Sequence, residues 1–187
     1  KKNIPTGAGL GGGSSDAACV LKVLAKHFRL PVSDTPGPLH KLACELGSDV
    51  PFFLRVKPAY AEGKGEKLTL LPGFEIRSKI LVINPGVHIS TPDAYRQLKV
   101  KSSKARSLNK VKIFDLNNEK LLINDFERVV FKEHPEIEKI KYELIRLGAG
   151  YALMSGSGSS VYGLFGGKEI VPAKNHFKKM GYKVFEA

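Results

Sequence analysis

The stretch that decides the fold is Pro5-Thr6-Gly7-Ala8-Gly9-Leu10-Gly11-Gly12-Gly13-Ser14-Ser15-Asp16-Ala17-Ala18, in which a dense run of glycines leads directly into a helical pattern. Such a loop exposes backbone N–H groups and the positive end of a helix dipole to one spot. Because glycine has no side chain, the backbone can approach phosphate groups closely. The stretch therefore predicts a phosphate-binding loop. The alternative is a flexible linker, which the amphipathic helix that follows at once disfavours.

Two common nucleotide-binding fingerprints do not fit this loop. Gly7, Gly9 and Gly12 satisfy the spacing G-x-G-x-x-G. That dinucleotide fingerprint requires a strand immediately before it and an acid at the end of the next strand. Here Pro5 precedes the loop, and Asp34 lies in a turn after a helix. No Gly-Lys-Ser/Thr follows, so the Walker pattern is also excluded.

The first half of the chain is predicted to be mainly helical around this loop. Ser14 or Ser15 is expected to cap the first helix, with Asp16 in its first turn, and Leu30-Pro31 to end it. Its apolar positions recur at helical spacing and comprise Ala17, Val20, Leu21, Leu24 and Phe28.

A second helix, a strand and a hairpin are predicted next. The helix spans Leu39 to Leu46 and is stopped by Gly47. A strand is predicted from Val50 to Leu54. Two further strands, around Ala59–Ala61 and Lys67–Leu71, flank a tight loop at Glu62–Glu66. The Leu71-Pro72-Gly73 turn places a domain boundary near it, which gives domains at residues 1–75 and 76–187.

The second half has the element order of a split βαβ sandwich, with helices packed on an antiparallel sheet. The predicted fold class is therefore α+β. Strands are predicted at residues 80–83, 152–154, 161–165 and 183–185, helices from Thr91 and at 116–130, 135–147 and 168–180, and a basic loop at 99–112.

Composition narrows the class of protein. The 187 residues are 42% hydrophobic and 26% charged, which is ordinary globular composition and excludes wholesale disorder and collagen. No apolar run is long enough to span a bilayer. Cys19 and Cys44 lie in apolar helical patterns and are expected to be buried free thiols of a reducing, cytoplasmic compartment. A net charge of +12 suits phosphate-rich partners such as nucleotides, nucleic acid or anionic lipid, or a surface of solvated lysines.

Several stretches in the same order resemble the GHMP kinases, the superfamily of galactokinase, homoserine kinase, mevalonate kinase and phosphomevalonate kinase. These stretches are the opening glycine run, Leu46–Phe53, Pro85–Tyr95, Asn124–Glu127 and Met154–Val161. The resemblance covers nearly the whole chain. It implies a two-domain fold, with an N-terminal domain like the second domain of ribosomal protein S5 and a ferredoxin-like C-terminal domain.

The triple glycine followed by Ser-Ser resembles most the branch that phosphorylates the erythritol 2-hydroxyl of diphosphocytidyl-methylerythritol in non-mevalonate isoprenoid synthesis. The resemblance implies ATP and Mg²⁺ as cofactors and Asp49 as the catalytic residue. It implies Tyr95, Thr91, Gly63 and Lys64 as substrate contacts. The implied ATP-binding residues are Pro5, Thr6, Gly7, Ala8, Gly9, Leu10, Gly11, Gly12, Gly13, Ser14 and Ser15, with Ser15 also a candidate metal ligand.

Each of these residues also has a purely structural interpretation. Asp49 could be a turn residue, Ser14 or Ser15 a helix cap, and Tyr95 a core tyrosine on a helix. The Gly/Ser stretch 155–160 could be a simple hairpin turn, whereas in the family the matching motif closes over the phosphate loop. The histidines, including His40 and His88, show no metal spacing and are predicted to be structural or at the surface.

The resemblance also implies an additional segment before the glycine loop, which in the family carries a lysine near the reacting hydroxyl and residues that hold adenine and cytosine. We expect this chain to lack that segment, to expose an apolar face in its N-terminal half, and to be inactive alone. No nucleic acid or membrane is expected among its partners. The alternative functions are another GHMP kinase of homoserine or mevalonate type and a basic nucleic-acid-binding module, although Lys99–Lys112 has only Phe114 as a nearby aromatic.

Overall fold

The computed structural model describes residues 3–30, 37–98 and 123–187. They form two compact units, one made of the described residues of Gly11–Ile76 and the other of those in Lys1–Leu10 and Arg77–Ala187. The chain passes from one unit to the other within the glycine run, between Leu10 and Gly11, and again after Ile76. The proposed domain division at residue 75 remains a prediction.

Three helices and a hairpin make up the unit Gly11–Ile76. The elements in chain order are α1 (Gly12–His27), α2 (Pro38–Leu46), α3 (Val50–Arg55), β1 (Ala59–Glu62) and β2 (Lys67–Leu70). Small side chains let the helices approach closely, because Ala18 of α1 and Ala43 of α2 are fully buried together with Val50 of α3. The two strands pair antiparallel with Glu62 opposite Lys67, as the hairpin prediction requires.

The first helix differs from the prediction at both ends. It begins at Gly12, and its N-cap residue Gly11 has a positive φ of 64° that glycine adopts without strain. Neither serine caps it, because Ser15 lies inside the first turn and donates its hydroxyl proton to the Gly12 carbonyl. The helix ends at His27, before the predicted Leu30-Pro31 stop.

The predicted apolar stripe of α1 is largely exposed. Ala18 and Ala25 are its buried residues, and Leu21 packs beside them. The exposed apolar side chains of this helix and the residue after it are Val20, Val23, Leu24 and Phe28. Cys19 is also exposed and Cys44 is partly buried, so the thiols are free as predicted but Cys19 is not in a core.

The predicted strand Val50–Leu54 is wrong: these residues form the short helix α3. A short apolar run suits a strand or a helix equally well, because its periodicity cannot distinguish them. Pro51 decides the matter, since proline is favoured in the first helical turn, where its missing N–H removes no intrahelical bond. The helix predicted from Leu39 to Leu46 is confirmed as α2, which begins one residue earlier, at Pro38, and ends before Gly47 as predicted.

The second unit is a four-stranded antiparallel sheet with helices, as predicted. Its elements are β3 (Lys79–Asn84), α4 (Thr91–Leu98), α5 (Glu127–Glu133), α6 (Pro135–Arg146), β4 (Tyr151–Met154), β5 (Val161–Phe165), α7 (Ile170–Lys179) and β6 (Lys183–Glu186). The strand order β4-β5-β3-β6, with every neighbouring pair antiparallel, is that of a split βαβ fold. The predicted loop 99–112 and the first part of the predicted helix 116–130 lie outside the described residues.

One hydrophobic core stabilises this unit. Alternate residues of β3, such as Leu81 and Ile83, point to the helical side and are fully buried. Ile137, Ile140 and Leu144 form the buried stripe of α6 at helical spacing. Burial of each such side chain contributes about 1.5–3 kcal/mol before the entropic cost of ordering. The core holds β3 and β5 in register and so positions the loops at their ends.

Candidate active site

We define residues Pro5–Ser15 as the glycine segment. Its first part, at Ala8 and Gly9, packs on the loop that joins β4 to β5. We name that connection, Ser155–Ser160, the Gly/Ser loop. Ser155 donates its hydroxyl proton to the Gly9 carbonyl over 2.7 Å, and the Ser160 N–H donates to the Ala8 carbonyl over 3.1 Å. The structure thus brings together two glycine-rich stretches that the sequence separates widely.

Glycine is required sterically at two positions of this segment. A Cβ added at Gly9 would lie 1.9 Å from the Ser155 carbonyl oxygen, and one added at Gly7 would lie 2.0 Å from His88 Nδ1. Both residues also have positive φ, 71° and 63°. These glycines therefore serve close packing within the protein as well as any approach of a ligand.

The other side of the Gly/Ser loop is held by the end of β3. Asn84 is 2% exposed and donates from Nδ2 to the Ser160 hydroxyl over 3.1 Å. Its Oδ1 accepts the Gly86 N–H over 3.1 Å. The Ser159 hydroxyl donates to the Val87 carbonyl. A buried polar side chain is tolerated here because its hydrogen bonds are satisfied.

The segment that precedes α5 supplies a further anchor. Asn124 donates from Nδ2 to the carbonyls of Met154 and Gly156, over 2.8 and 2.7 Å. Glu127 accepts the Met154 N–H at Oε1 over 2.9 Å and pairs through Oε2 with Lys141 Nζ over 2.6 Å. These contacts fix the chain on both sides of Ser155.

The predicted substrate residue Thr91 is joined to the same loop, and Tyr95 lies one turn further along α4. The hydroxyls of Thr91 and Ser157 are 2.8 Å apart. Tyr95 is 56% exposed, so the interpretation as a core tyrosine is wrong. Its ring meets Phe126 edge to face, with centroids 4.9 Å apart, which fixes the ring while leaving much of its surface open.

In the unit Gly11–Ile76, Asp49 occupies the N-cap position of α3. Its side chain makes no capping bond, and the residue is exposed. Gly65 of the β1–β2 hairpin approaches it so closely that an added Cβ would lie 3.3 Å from Asp49 Oδ1. The predicted residues Gly63 and Lys64 lie in that same hairpin loop, immediately before Gly65 in the chain.

The hairpin loop is braced by its own acid. The Lys64 N–H donates to Glu66 Oε2 over 2.7 Å. Hydrogen bonds from the backbone N–H groups of Glu66 and Lys64 hold the pKa of the Glu66 carboxyl below its ordinary value. Glu66 therefore shapes the turn, whereas the Asp49 carboxylate makes no capping hydrogen bond at the start of α3.

Asn84 and the anchoring role of Asn124 were missed by sequence reasoning. Asn84 is the last residue of β3, and a polar residue at that position indicates only that the strand ends there. Asn124 belongs to a stretch used only for the resemblance. Their partners lie 75 and 76 residues away for Asn84 and 30 and 32 for Asn124. Among the described residues, no cluster of three metal-ligating side chains occurs, and no helix is long and apolar enough to cross a membrane.

Two family models match the chain. Residues 1–56 match the GHMP kinases N terminal domain, and residues 105–183 match the GHMP kinases C terminal model. The chain is 46% identical to a 4-diphosphocytidyl-2-C-methyl-D-erythritol kinase of Bacteroides thetaiotaomicron, over 91% of this chain and 62% of the relative. It is 45% identical to the protein of the same name from Lawsonia intracellularis, over 88% of this chain and 59% of the relative. The chain thus spans about 60% of these curated relatives.

Solved structures give the same grouping. A crystal structure of 4-(cytidine 5'-diphospho)-2C-methyl-D-erythritol kinase matches with a TM-score of 0.79 and 33% identity, covering 100% of this chain and 68% of the other. Homoserine kinase from Cytophaga hutchinsonii matches with a TM-score of 0.74 at 19% identity, over 100% and 67%. The second likeness concerns the fold alone.

Proposed function

Because the chain belongs to the GHMP kinase family, we propose that it acts as an ATP-dependent small-molecule kinase on 4-diphosphocytidyl-2-C-methyl-D-erythritol. The acceptor would be the erythritol 2-hydroxyl. The substrate is supported by relatives of that name at 45–46% identity. The homoserine kinase likeness at 19% identity supports no substrate assignment.

The observation that supports phosphoryl transfer is the pair of hydrogen bonds from the Gly/Ser loop to the carbonyls of Ala8 and Gly9. In a trans peptide unit, the N–H points opposite to the C=O. Carbonyls engaged by the Gly/Ser loop therefore direct the N–H groups of Gly9 and Leu10 away from that loop. Backbone N–H groups held in one direction suit the oxygens of a phosphate chain.

Asp49 is the proposed catalytic residue. Phosphoryl transfer passes through a loose transition state, in which positioning and charge stabilisation matter more than full deprotonation of the nucleophile. An exposed carboxylate on a short, proline-braced helix start can orient the acceptor hydroxyl and take its proton as the hydroxyl oxygen bonds to the γ-phosphorus of ATP and the bond from that phosphorus to the leaving ADP breaks. Gly65 beside it leaves room for an acceptor, because any larger residue would approach the carboxylate.

The substrate residues have complementary chemistry in this proposal. Tyr95 offers an exposed ring on which cytosine can stack. Thr91, hydrogen-bonded to Ser157, connects the start of α4 with the Gly/Ser loop. Lys64 supplies a cation for the diphosphate, and Gly63 keeps the hairpin loop compact with a φ of 72°.

The residues present fit a Mg²⁺ ion that would be held mainly by the phosphates of the substrate ATP. Mg²⁺ prefers oxygen ligands and keeps several waters, so it needs few protein ligands. The Ser15 hydroxyl donates to the Gly12 carbonyl over 2.8 Å, which leaves its oxygen lone pairs available to a cation. When bound, the ion would neutralise charge on the transferred phosphoryl group.

The test is an assay of ATP-dependent phosphorylation with the full-length protein and three acceptors: diphosphocytidyl-methylerythritol, homoserine and mevalonate. We expect turnover with the first only. Asp49→Asn should lower kcat by about 10²-fold and leave the KM for ATP unchanged. Glu45→Gln, which neutralises an exposed acid on α2, is the matched control. Turnover of homoserine or mevalonate instead, or retention on a polyanion without saturable ATP binding, would refute the proposal.

A further inference from the structure

The carboxamide of Asn124 makes three hydrogen bonds in three directions. Nδ2 uses its two protons on the carbonyls of Met154 and Gly156, over 2.8 and 2.7 Å. Oδ1 accepts the Phe126 N–H over 3.0 Å. Among the side chains of similar size, only an amide offers two donors and an acceptor in this arrangement. The side chain therefore binds two separate parts of the chain, the backbone on either side of Ser155 and the backbone of Phe126.

The donor end of Asn124 fixes the position of Ser155. Its two acceptors, the carbonyls of Met154 and Gly156, lie immediately before and after Ser155 in the chain. Ser155 in turn donates its hydroxyl proton to the Gly9 carbonyl. The Ser155 N–H donates to the Ser160 carbonyl over 2.8 Å, which closes the Gly/Ser loop. Loss of the two donors would therefore loosen the glycine segment through Ser155.

The acceptor end of Asn124 fixes the position of Phe126. A side-chain oxygen that binds the N–H two residues later forms a local turn, which orients the following residues. The Phe126 ring meets Tyr95 at an interplanar angle of 88°. Tyr95 is 56% exposed, and among the described residues Phe126 provides the aromatic contact to its ring. This contact therefore sets the orientation of the Tyr95 ring. A displaced Phe126 would therefore change the orientation of Tyr95.

We infer that Asn124 is a positioning residue that sets the ATP-phosphate side and the cytosine side of the active site together. This inference rests on the proposed function, because it assigns the glycine segment to ATP and Tyr95 to the base. It places Asn124 outside direct contact with either substrate. Loss of the whole carboxamide should consequently raise both KM values, whereas loss of a residue on one side should raise only one.

Two substitutions separate the two ends of the carboxamide. Asn124→Asp keeps an acceptor for the Phe126 N–H but removes both donors and puts a carboxylate against two carbonyl oxygens. We expect the KM for ATP to rise about tenfold and the KM for the cytidine substrate to change less than threefold. Asn124→Ala removes both ends, and we expect both KM values to rise about tenfold.

The matched control is Asn175→Asp, which adds the same negative charge on the exposed face of α7. Both of its KM values should equal those of the unchanged protein. Phe126→Leu removes the ring contact with Tyr95, keeps an apolar side chain against the core, and should raise only the KM for the cytidine substrate. Equal KM values in Asn124→Ala and the unchanged protein would overturn the inference, as would an Asn124→Asp protein in which only the cytidine KM rises.

A readout without substrate separates this inference from the proposed function. Hydrogen exchange at the N–H groups of Ser155 and Ser160 reports the Gly/Ser loop directly, because both N–H groups are hydrogen-bonded. Asn124→Asp and Asn124→Ala should each speed this exchange, and Asn175→Asp should not. If the protein phosphorylates a different acceptor, the proposed function fails, while faster exchange still supports the positioning role of Asn124. Unchanged exchange in both Asn124 variants would refute that role whatever the substrate.

Discussion

The Ser155 hydroxyl donates a hydrogen bond of 2.7 Å to the backbone carbonyl of Gly9, a residue 146 positions earlier in the chain. The two residues also approach each other closely, because a Cβ added to Gly9 would lie 1.9 Å from the Ser155 carbonyl oxygen. The glycine segment is therefore shaped by a partner loop as well as by its own lack of side chains. Its conformation depends on the sheet that carries the Gly/Ser loop.

Replacement of Gly9 by alanine should disturb this contact strongly. The added methyl meets backbone atoms that cannot rotate away, and the φ of 71° is unfavourable for alanine. We expect the free energy of unfolding to fall by about 2 kcal/mol and ATP binding to weaken with it. Urea denaturation and ATP titration measure the two effects. Gly166→Ala is the control, since its added methyl meets no described atom within 4 Å; equal losses in both variants would contradict the prediction.

Asn84→Ala should destabilise the unit that contains the sheet. The substitution leaves the Ser160 hydroxyl and the Gly86 N–H without their buried partner. We expect the free energy of unfolding to fall by about 2–4 kcal/mol, because unsatisfied buried polar groups retain their desolvation cost. Denaturant unfolding followed by circular dichroism checks this value. The exposed Asn175→Ala should change stability by less than about 0.5 kcal/mol, and a similar result for Asn84→Ala would count against the buried network.

Glu143 should contribute stability that disappears in acid. It accepts a bond of 2.8 Å from Arg146 Nε, and its Oε1 lies 2.9 Å from His176 Nε2 of α7. The Arg146 hydrogen bond, and then the charges of Arg146 and His176, hold the pKa of the Glu143 carboxyl below its ordinary 4.5. A lowered folded-state pKa gives stability that is present above the ordinary pKa and lost as pH falls through the folded-state pKa.

The corresponding experiment compares the protein with its Glu143→Gln variant across the acid range. The stability difference between them should be largest near neutral pH and shrink steadily below about pH 4.5. Urea unfolding at a series of pH values gives this difference. Glu45→Gln, on the exposed side of α2, should show no such trend. A Glu143→Gln difference that is constant with pH would contradict the prediction.

The hairpin and the split βαβ sheet could be predicted because their signals are local. Glycines at positions 63 and 65, between two short apolar segments, indicate a tight turn, and the strand-sized apolar run at residues 80–83 indicates β3. The helix α3 was mistaken for a strand because a run of five apolar residues carries no period. The proline at position 51 was the available signal for a helix start, and it was outweighed by the aromatic residues after it.

The site could be predicted only where residues adjoin in the chain. The glycine segment, Asp49 and Tyr95 were selected from local motifs and from the resemblance. The network around the Gly/Ser loop could not be predicted, since Asn84 and Asn124 reach it only through tertiary contacts. The sequence pattern around a single polar residue at a strand end or in a connection is the same whether that residue faces solvent or contacts a distant loop.

Tyr95→Ala should raise the KM for the cytidine substrate and leave the KM for ATP unchanged. Stacking of a base on an aromatic ring contributes about 1–3 kcal/mol, so a rise of about 5- to 150-fold is expected. The contact is equal in the ground and transition states, and kcat should therefore change little. Tyr95→Phe should retain most of the affinity. Tyr142→Ala, which removes a ring that is 64% exposed on α6, is the control. A rise in the KM for ATP instead would move Tyr95 to the nucleotide side.

Gly13 offers a test that separates a glycine needed by the ligand from one needed by the fold. It lies in the first turn of α1, and no described atom lies within 4 Å of a Cβ added there. Alanine should therefore be accommodated and should stabilise the helix by about 0.5 kcal/mol, because glycine has the larger entropic cost of folding. If phosphates approach this turn, the same methyl group occupies their space.

We accordingly expect Gly13→Ala to raise the thermal midpoint slightly while weakening ATP binding by about tenfold or more. Differential scanning calorimetry and ATP titration measure the two quantities on the same sample. Gly166→Ala, which is equally open in the described structure but lies after β5, should leave ATP binding unchanged. Opposite signs for stability and affinity are a signature that packing cannot produce, since a steric conflict within the protein would lower both. Gly13→Ala with unchanged ATP affinity would show that the phosphates do not approach the first turn of α1.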